Sequence, residues 1–495
     1  MSEGLGTRTA RAMVWVYASY VGGRALVFVS MAILARVLTP AEFGLVALAL
    51  IVTTALETLK DLGLTQALIV ADDEETERRA PTIFFLTVGI GFVLWGLTAA
   101  FAPLAARIFD EPEVAPILIA LGFNFVLRAF GATHYALAAK RLDFQRRTYA
   151  EAGDVVVRGL VGIGLALAGA GAWSIVIGYL AGTLALTVVL WLIVPWRPRF
   201  ELRFEGLSNM VRFGGSIAGI DVMSAINRNV DLVAIGLVLG ATALGLYTMA
   251  YRIPELLVLN FAVVGGYVLF PAFATVDRDE LRGAFLTAFR YTAAFALPLA
   301  LGMVVLTDPL ILAVLGDQWI GAGGAMQALS LFALVIALDI PAGTVYKATG
   351  RADVLLKLAI PRFFVLVALM YAFADDGITT VAYAQLGVGV LFLAIQLYLT
   401  KRMLGAGYMV LGRVAAPAVL ATVAMAAVMF GLDRLIEAPW PTLIAAGLAG
   451  GVTYLGVLRL AAPDLVRGLI ERLRPGPTAE AEIEAAPAPE GAPSR

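Results

Sequence analysis

Arg24, Lys60 with Asp61, Arg128 with His134, and Asp154 with Arg158 stand inside long apolar runs in the first half of the chain. The second half does the same with Asp221, Arg228, Asp231, Arg252, Glu255, Arg290, Asp339 and Arg362. A charge at the centre of a membrane helix costs about 2.5–3.5 kcal/mol on the most forgiving scale, so each needs an opposite charge, a wet cavity or a ligand. Spacing neutralises some of them locally. Asp154/Arg158 lie at i,i+4, and Arg228/Asp231 and Arg252/Glu255 at i,i+3, where helical side chains meet. Glu57 and Arg290 fall near enough to helix ends to snorkel.

Arg24 and Arg128 have no acid within a helical turn, and Asp61 points about 100° away from its neighbour Lys60. An unpaired cation in this setting needs an anion from another helix or from a ligand, and the arginine fork suits a phosphate. The candidate substrate-binding residues are therefore Arg24, Lys60, Arg128, Arg228 and Arg252, with Arg24 foremost. Asp61, Asp221 and Asp339 are the candidate ion-coupling carboxylates. Tyr17, Tyr20, Tyr247 and Tyr251 could stack on sugar rings or serve as belt and core residues. His134, the one histidine, could relay protons or simply be hydrogen-bonded structure.

The elements that hold these residues are membrane helices. Hydrophobic residues make up 60% of the chain and charged residues 15%, and the mean hydropathy of +0.88 excludes a soluble multidomain protein. With no cysteine there is no disulfide framework, thiol nucleophile or cysteine metal site. No ATP motif, DxD pair or phosphate loop is present, and neither metal, cofactor nor nucleic acid is expected. Runs of roughly 20 apolar residues number fourteen: 12–37, 43–69, 80–105, 113–139, 147–170, 172–194, 209–238, 243–271, 284–307, 322–348, 353–375, 379–401, 411–431 and 440–460. Thr39, Pro40 and Glu42 form a capping-box start for the second helix.

Basic residues test the count. With the N-terminus cytoplasmic, 24 arginines and lysines from Arg8 to Arg474 fall on the cytoplasmic side and three, Arg36, Arg107 and Arg434, on the other. That asymmetry predicts both termini inside. The Pro/Arg-rich stretch Pro195–Arg199 separates the halves, 465–473 resembles a short interfacial helix, and the Pro/Ala/Glu-rich tail from Pro475 is expected to be disordered.

The chain also echoes itself. Leu38–Val46 is answered by Leu239–Tyr247, with Gly44-Leu45 falling on Gly245-Leu246, and Gly171–Val176 by Gly377–Ala382. Offsets of 201 and 206 predict a duplicated, parallel six-helix repeat over 12–194 and 209–401.

The ILARVLTPAEFGLVALAL turn, the Asp61-Leu62-Gly63-Leu64 that follows it, and GAWSIVIGYL (Gly171–Leu180) resemble the Wzx-like oligosaccharide flippases of the multidrug/oligosaccharidyl-lipid/polysaccharide superfamily. The likeness is strongest over Val14 to Phe200. It implies an all-α polytopic MATE-like fold: lobes over 1–194 and 209–401, a connector at 195–208, an extra helix pair at 402–463 and a tail at 464–495. It further implies a bacterial inner-membrane transporter, not an enzyme. The cargo would be a polyprenyl-pyrophosphate-linked glycan, moved by alternating access around a cationic cavity. A polysaccharide polymerase and chain-length machinery would be its partners. Helices 1, 2, 7 and 8 line the cavity in such proteins, which puts Arg24, Lys60, Asp221, Arg228 and Arg252 on lining helices. Two alternatives stand beside this. A cation-coupled drug exporter would need an acidic cavity, and a membrane enzyme of polysaccharide assembly would need catalytic residues in a sizeable external loop.

Overall fold

The computed structural model describes residues 22–24, 26–57, 64–70, 72–140, 144–201, 229–465 and 467. Lys60, Asp61, Asp221 and Arg228 lie outside the described residues, as do Tyr17 and Tyr20. Among the described residues every regular element is helical. In the first half these are α1 (26–37), α2 (Pro40–Glu57), α3 (Leu64–Val70), α4 (Asp73–Ile108), α5 (Val114–Lys140), α6 (Phe144–Leu167) and α7 (Ala172–Ile193). The second half has α8 (Asn229–Val238), α9 (Gly240–Pro254), α10 (Asn260–Thr275), α11 (Arg278–Val305), α12 (Thr307–Leu310), α13 (Gly323–Ala348), α14 (Ala352–Phe373) and α15 (Ile378–Leu404). α16 (Tyr408–Leu435) and α17 (Pro439–Ala461) complete the chain.

Eleven helices among the described residues are long and apolar enough to cross a membrane. Apart from the second, expected over 43–69 and described as α2 to Glu57 and α3 from Leu64 with 58–63 outside the described residues, their ends fall within several residues of the expected runs. Of the remaining expected spans, 12–37 and 209–238 lie partly outside the described residues. α6 is helical throughout but carries Arg146, Arg147, Glu151, Asp154 and Arg158. Helices dominate because hydrocarbon offers no partner for a backbone amide, so each segment must bond to itself.

Local chemistry sets the ends. Thr39 donates its backbone N–H to Glu42 Oε2 at 2.7 Å while Thr39 Oγ1 accepts from the Glu42 N–H at 3.4 Å, so the capping box predicted at the start of α2 is present. The two glycines of the second echo, Gly171 and Gly377, precede α7 and α15 at φ +56° and +98°, backbone that a side chain would strain.

Within each half the helices pack on their own neighbours, and the halves meet where α2 crosses α9. There the first echo becomes a contact. A Cβ on Gly44 would sit 1.7 Å from the Ala241 carbonyl oxygen, and one on Gly245 1.9 Å from that of Pro40. The two helices therefore touch backbone to backbone, which only small residues allow. Around this crossing one apolar cluster joins Leu45, Val46 and Leu48 to Leu244, Tyr247, Leu329 and Phe332.

The extra pair is held to α11. Met425 and Met429 pack with Tyr454 and Ala294, Tyr454 donates its hydroxyl to the Ala294 carbonyl, and Asp464 accepts two bonds from Arg290 at 2.6 and 3.1 Å.

A closed end and three charge clusters form the candidate translocation site

The closure at the α2/α9 crossing is reinforced by an exchange of helix caps. The last carbonyls of a helix lack intrahelical donors. Those of Ala35 and Leu38, ending α1, accept from the second half: Trp319 Nε1 reaches Ala35 at 2.7 Å and Gln318 Nε2 reaches Leu38 at 2.9 Å. In return Arg36 Nε reaches the Val314 carbonyl at 3.3 Å, and its NH2 nitrogen the Ala313 carbonyl. Trp319 is fully buried, with Phe43 edge-on to it at 5.3 Å. Loops that read as simple connections in the sequence thus latch the two halves together.

Arg252 sits one residue before Ile253-Pro254, and a π-helical turn over Glu255–Leu259 follows. Proline removes a backbone donor and pushes on the preceding turn, a recognised origin of such a bulge. The bulge holds Arg252 NH1 at 3.0 Å from Glu255 Oε2, both side chains about one-third exposed. The pair expected from spacing is formed, and it leaves part of the guanidinium open. Arg24 is helical and exposed.

In the first half, Arg158 makes a bidentate pair with Asp154 at 2.7 and 2.8 Å and lies 4.2 Å over the Tyr179 ring. Arg128, expected to lack an acid, has one: Glu57, at the end of α2, stands 3.4 Å from it. Glu57 was expected to snorkel to the membrane surface. The α2/α5 contact instead brings it inward, and a partly buried arginine is the better partner. Arg128, Tyr135, Glu151 and Asp154 line a cavity of about 480 Å³ between α3, α5, α6 and α7.

In the second half, Asp339 lines a cavity of about 650 Å³ with Arg362, Lys347 and Gln396, between α10, α13, α14 and α15. Its Oδ1 is buried without a hydrogen-bond partner, and Gln396 Nε2 donates to the Asp339 backbone carbonyl at 3.2 Å.

Two other readings are settled by packing. Tyr247 is 1% exposed and donates its hydroxyl to Asp231 Oδ2 at 2.8 Å, so it is core and cannot stack on a sugar. His134 is fully buried, stacked on Trp191 at 4.6 Å, with Nε2 3.2 Å from the Trp196 carbonyl. It anchors the connector after α7 to α5, a structural task.

Residues 33–323 match the model of a family described as polysaccharide biosynthesis protein, more than half of the chain. The chain belongs to that family. The match runs well past Phe200, where the motif resemblance is strongest, to the start of α13. Among family-like relatives, the succinoglycan biosynthesis transport protein ExoT of Rhizobium meliloti is 29% identical over 371 residues, 73% of this chain and 74% of that one. The lipopolysaccharide biosynthesis protein WzxC of Escherichia coli is 25% identical over 347 residues, 68% and 70% respectively. The fold is that of the lipid II flippase MurJ in an inward closed conformation: TM-score 0.78 at 16% identity, over 92% of this chain and all of that one. The family thus carries the all-helical transporter architecture that the turn motif and the echoes implied.

Proposed function

We propose that this chain is a flippase carrying polyprenyl-pyrophosphate-linked oligosaccharide repeat units across the bacterial inner membrane for polysaccharide assembly. Family membership is the observation that carries the reading, supported by relatives named for polysaccharide biosynthesis and transport. It is a transporter, not an enzyme. The residues fit the cargo: arginines partly open on membrane helices offer charge-assisted bonds to a diphosphate that has left water.

The halves, taken as lobes at 1–194 and 209–401 with both termini cytoplasmic, alternate between closure at the Gly44/Gly245 end and closure at the other. Arg24, Lys60, Arg228 and Arg252 receive the diphosphate between the lobes. Asp61, Asp221 and Asp339 are the carboxylates available for coupling to a cation. A polymerase and its chain-length machinery take the unit on arrival.

The test uses purified protein in liposomes carrying a fluorophore-tagged polyprenyl-pyrophosphate sugar in both leaflets. A flippase exposes the inner-leaflet pool to an added membrane-impermeant quencher, so quenching passes the one-leaflet plateau. Quenching that stops at the protein-free plateau rejects the function.

A further inference from the structure

Each half of the chain has a cavity among helices that follow one another in a similar order. One lies between α3, α5, α6 and α7, the other between α10, α13, α14 and α15. Asp154 stands on α6 and Arg362 on α14. Both line their cavity. An acid on α6 in the first wall and a cation on α14 in the second set the two cavities apart.

The first-half pocket is internally balanced. Asp154 is bound by Arg158, and Arg128 by Glu57. The second-half pocket is not. Arg362 and Lys347 make no hydrogen bond or ion pair among the described residues, and Asp339, the acid beside them, leaves Oδ1 unsatisfied. Two cations against one acid line this cavity, Arg362 in its wall and Lys347 exposed at the end of α13, a positive excess that an anion would neutralise. Much of the rest of the wall is apolar, including Val263, Val335, Ile336, Leu358 and Phe392, with Thr344 and Gln396 as its polar members. At its rim Tyr267 and Phe270 of α10 are exposed. A cationic end and an apolar wall match a phosphate headgroup with a hydrocarbon chain attached.

We infer that the α10/α13/α14/α15 cavity is a binding subsite for a prenyl diphosphate, with Arg362 and Lys347 holding the phosphates and Asp339 competing for Arg362. The subsite rests on the flippase reading for its cargo. Asp339 gives it a distinctive sign. A carboxylate beside the phosphate site repels the ligand, so removing its charge tightens binding while removing either cation weakens it.

The probe is farnesyl diphosphate, titrated by calorimetry into the whole protein in phosphatidylcholine nanodiscs, a bilayer without net anionic headgroups. Arg362→Gln and Lys347→Gln each weaken affinity at least about tenfold, the loss expected for one charge-assisted phosphate contact. Arg362→Lys falls between, because it keeps the charge and loses the fork. Asp339→Asn tightens binding. Asp154→Asn with Arg158→Gln, which removes the balanced first-half pair, leaves affinity unchanged. Thermal unfolding of each variant shows that it is folded, and Asp339→Asn binding more tightly cannot come from misfolding. Unchanged affinity in Arg362→Gln overturns the subsite, as does weaker binding in Asp339→Asn. Inorganic diphosphate competing as tightly as the farnesyl compound overturns the role of the apolar wall, and full competition by phosphatidylglycerol overturns prenyl selectivity. The liposome assay separates the two claims: wild-type protein that flips the tagged lipid while Arg362→Gln binds normally rejects only the subsite. Wild type that flips nothing rejects the function.

Discussion

At the residue scale, the membrane charges divide into those that another residue satisfies and those left at least partly open. Arg158–Asp154, Arg128–Glu57 and Arg290–Asp464 belong to the first kind. Arg252 belongs to both, since Glu255 takes one nitrogen of a guanidinium that stays about one-third exposed. Truncating a cation that binds a desolvated diphosphate costs on the order of 2–5 kcal/mol of binding. Flipping should therefore fall strongly in Arg24→Ala and in Arg252→Gln. Arg252→Gln combined with Glu255→Gln discriminates: a merely structural pair, removed together, leaves flipping near wild type, whereas a substrate contact leaves it lost. Spacing exposed this pair and Asp154/Arg158 in advance because both lie on one helix, where geometry follows from residue number. Glu57–Arg128 and Asp231–Tyr247 join different helices and had no such signal.

At the element scale, the α2/α9 crossing depends on two glycines and on caps traded between α1 and the segment after α12. Overpacking a filled contact costs about 1–3 kcal/mol, and here the added methyl meets backbone, which cannot swing aside. Gly44→Ala should push the closed end open. Because the chain has no cysteine, a single Leu38→Cys reports it cleanly. Leu38 is 2% exposed in the closed form, so labelling by an impermeant maleimide should be slow in the parent and fast with Gly44→Ala. Equal rates would refute the wedge.

The α17 end makes a separate prediction. Hydrogen bonds from Arg290 hold the Asp464 carboxyl below the usual carboxylate range. A depressed carboxylate stabilises the fold above its ordinary value of about 3.9 and loses that effect as pH falls through the lower folded value. Asp464→Asn should lower the melting temperature modestly at pH 7, the pair being exposed and screened, and the difference from wild type should vanish near pH 2–3. A difference that persists there would mean that something other than the charge is lost.

For the whole molecule, transport by alternating access requires the latched end to release. Cysteines at Leu38 and Gln318, whose amide meets the Leu38 carbonyl at 2.9 Å, can be bridged by a short cleavable thiol reagent. Bridged protein should stop flipping and recover on cleavage, and continued flipping in the bridged state would rule out opening at this end. The sequence alone determined that this is a helical membrane protein, where most of its described spans fall, and that Asp154 pairs with Arg158 and Arg252 with Glu255 along one helix. Those properties are local or statistical: a helix in lipid must satisfy its own backbone, and its face recurs every 3.6 residues. Only the tertiary structure decided that the echoing glycines touch each other, that Glu57 turns inward to Arg128, and that Asp339 and Arg362 share one cavity. Each of those rests on the distance between residues far apart in the chain, which packing sets and spacing along one helix does not encode.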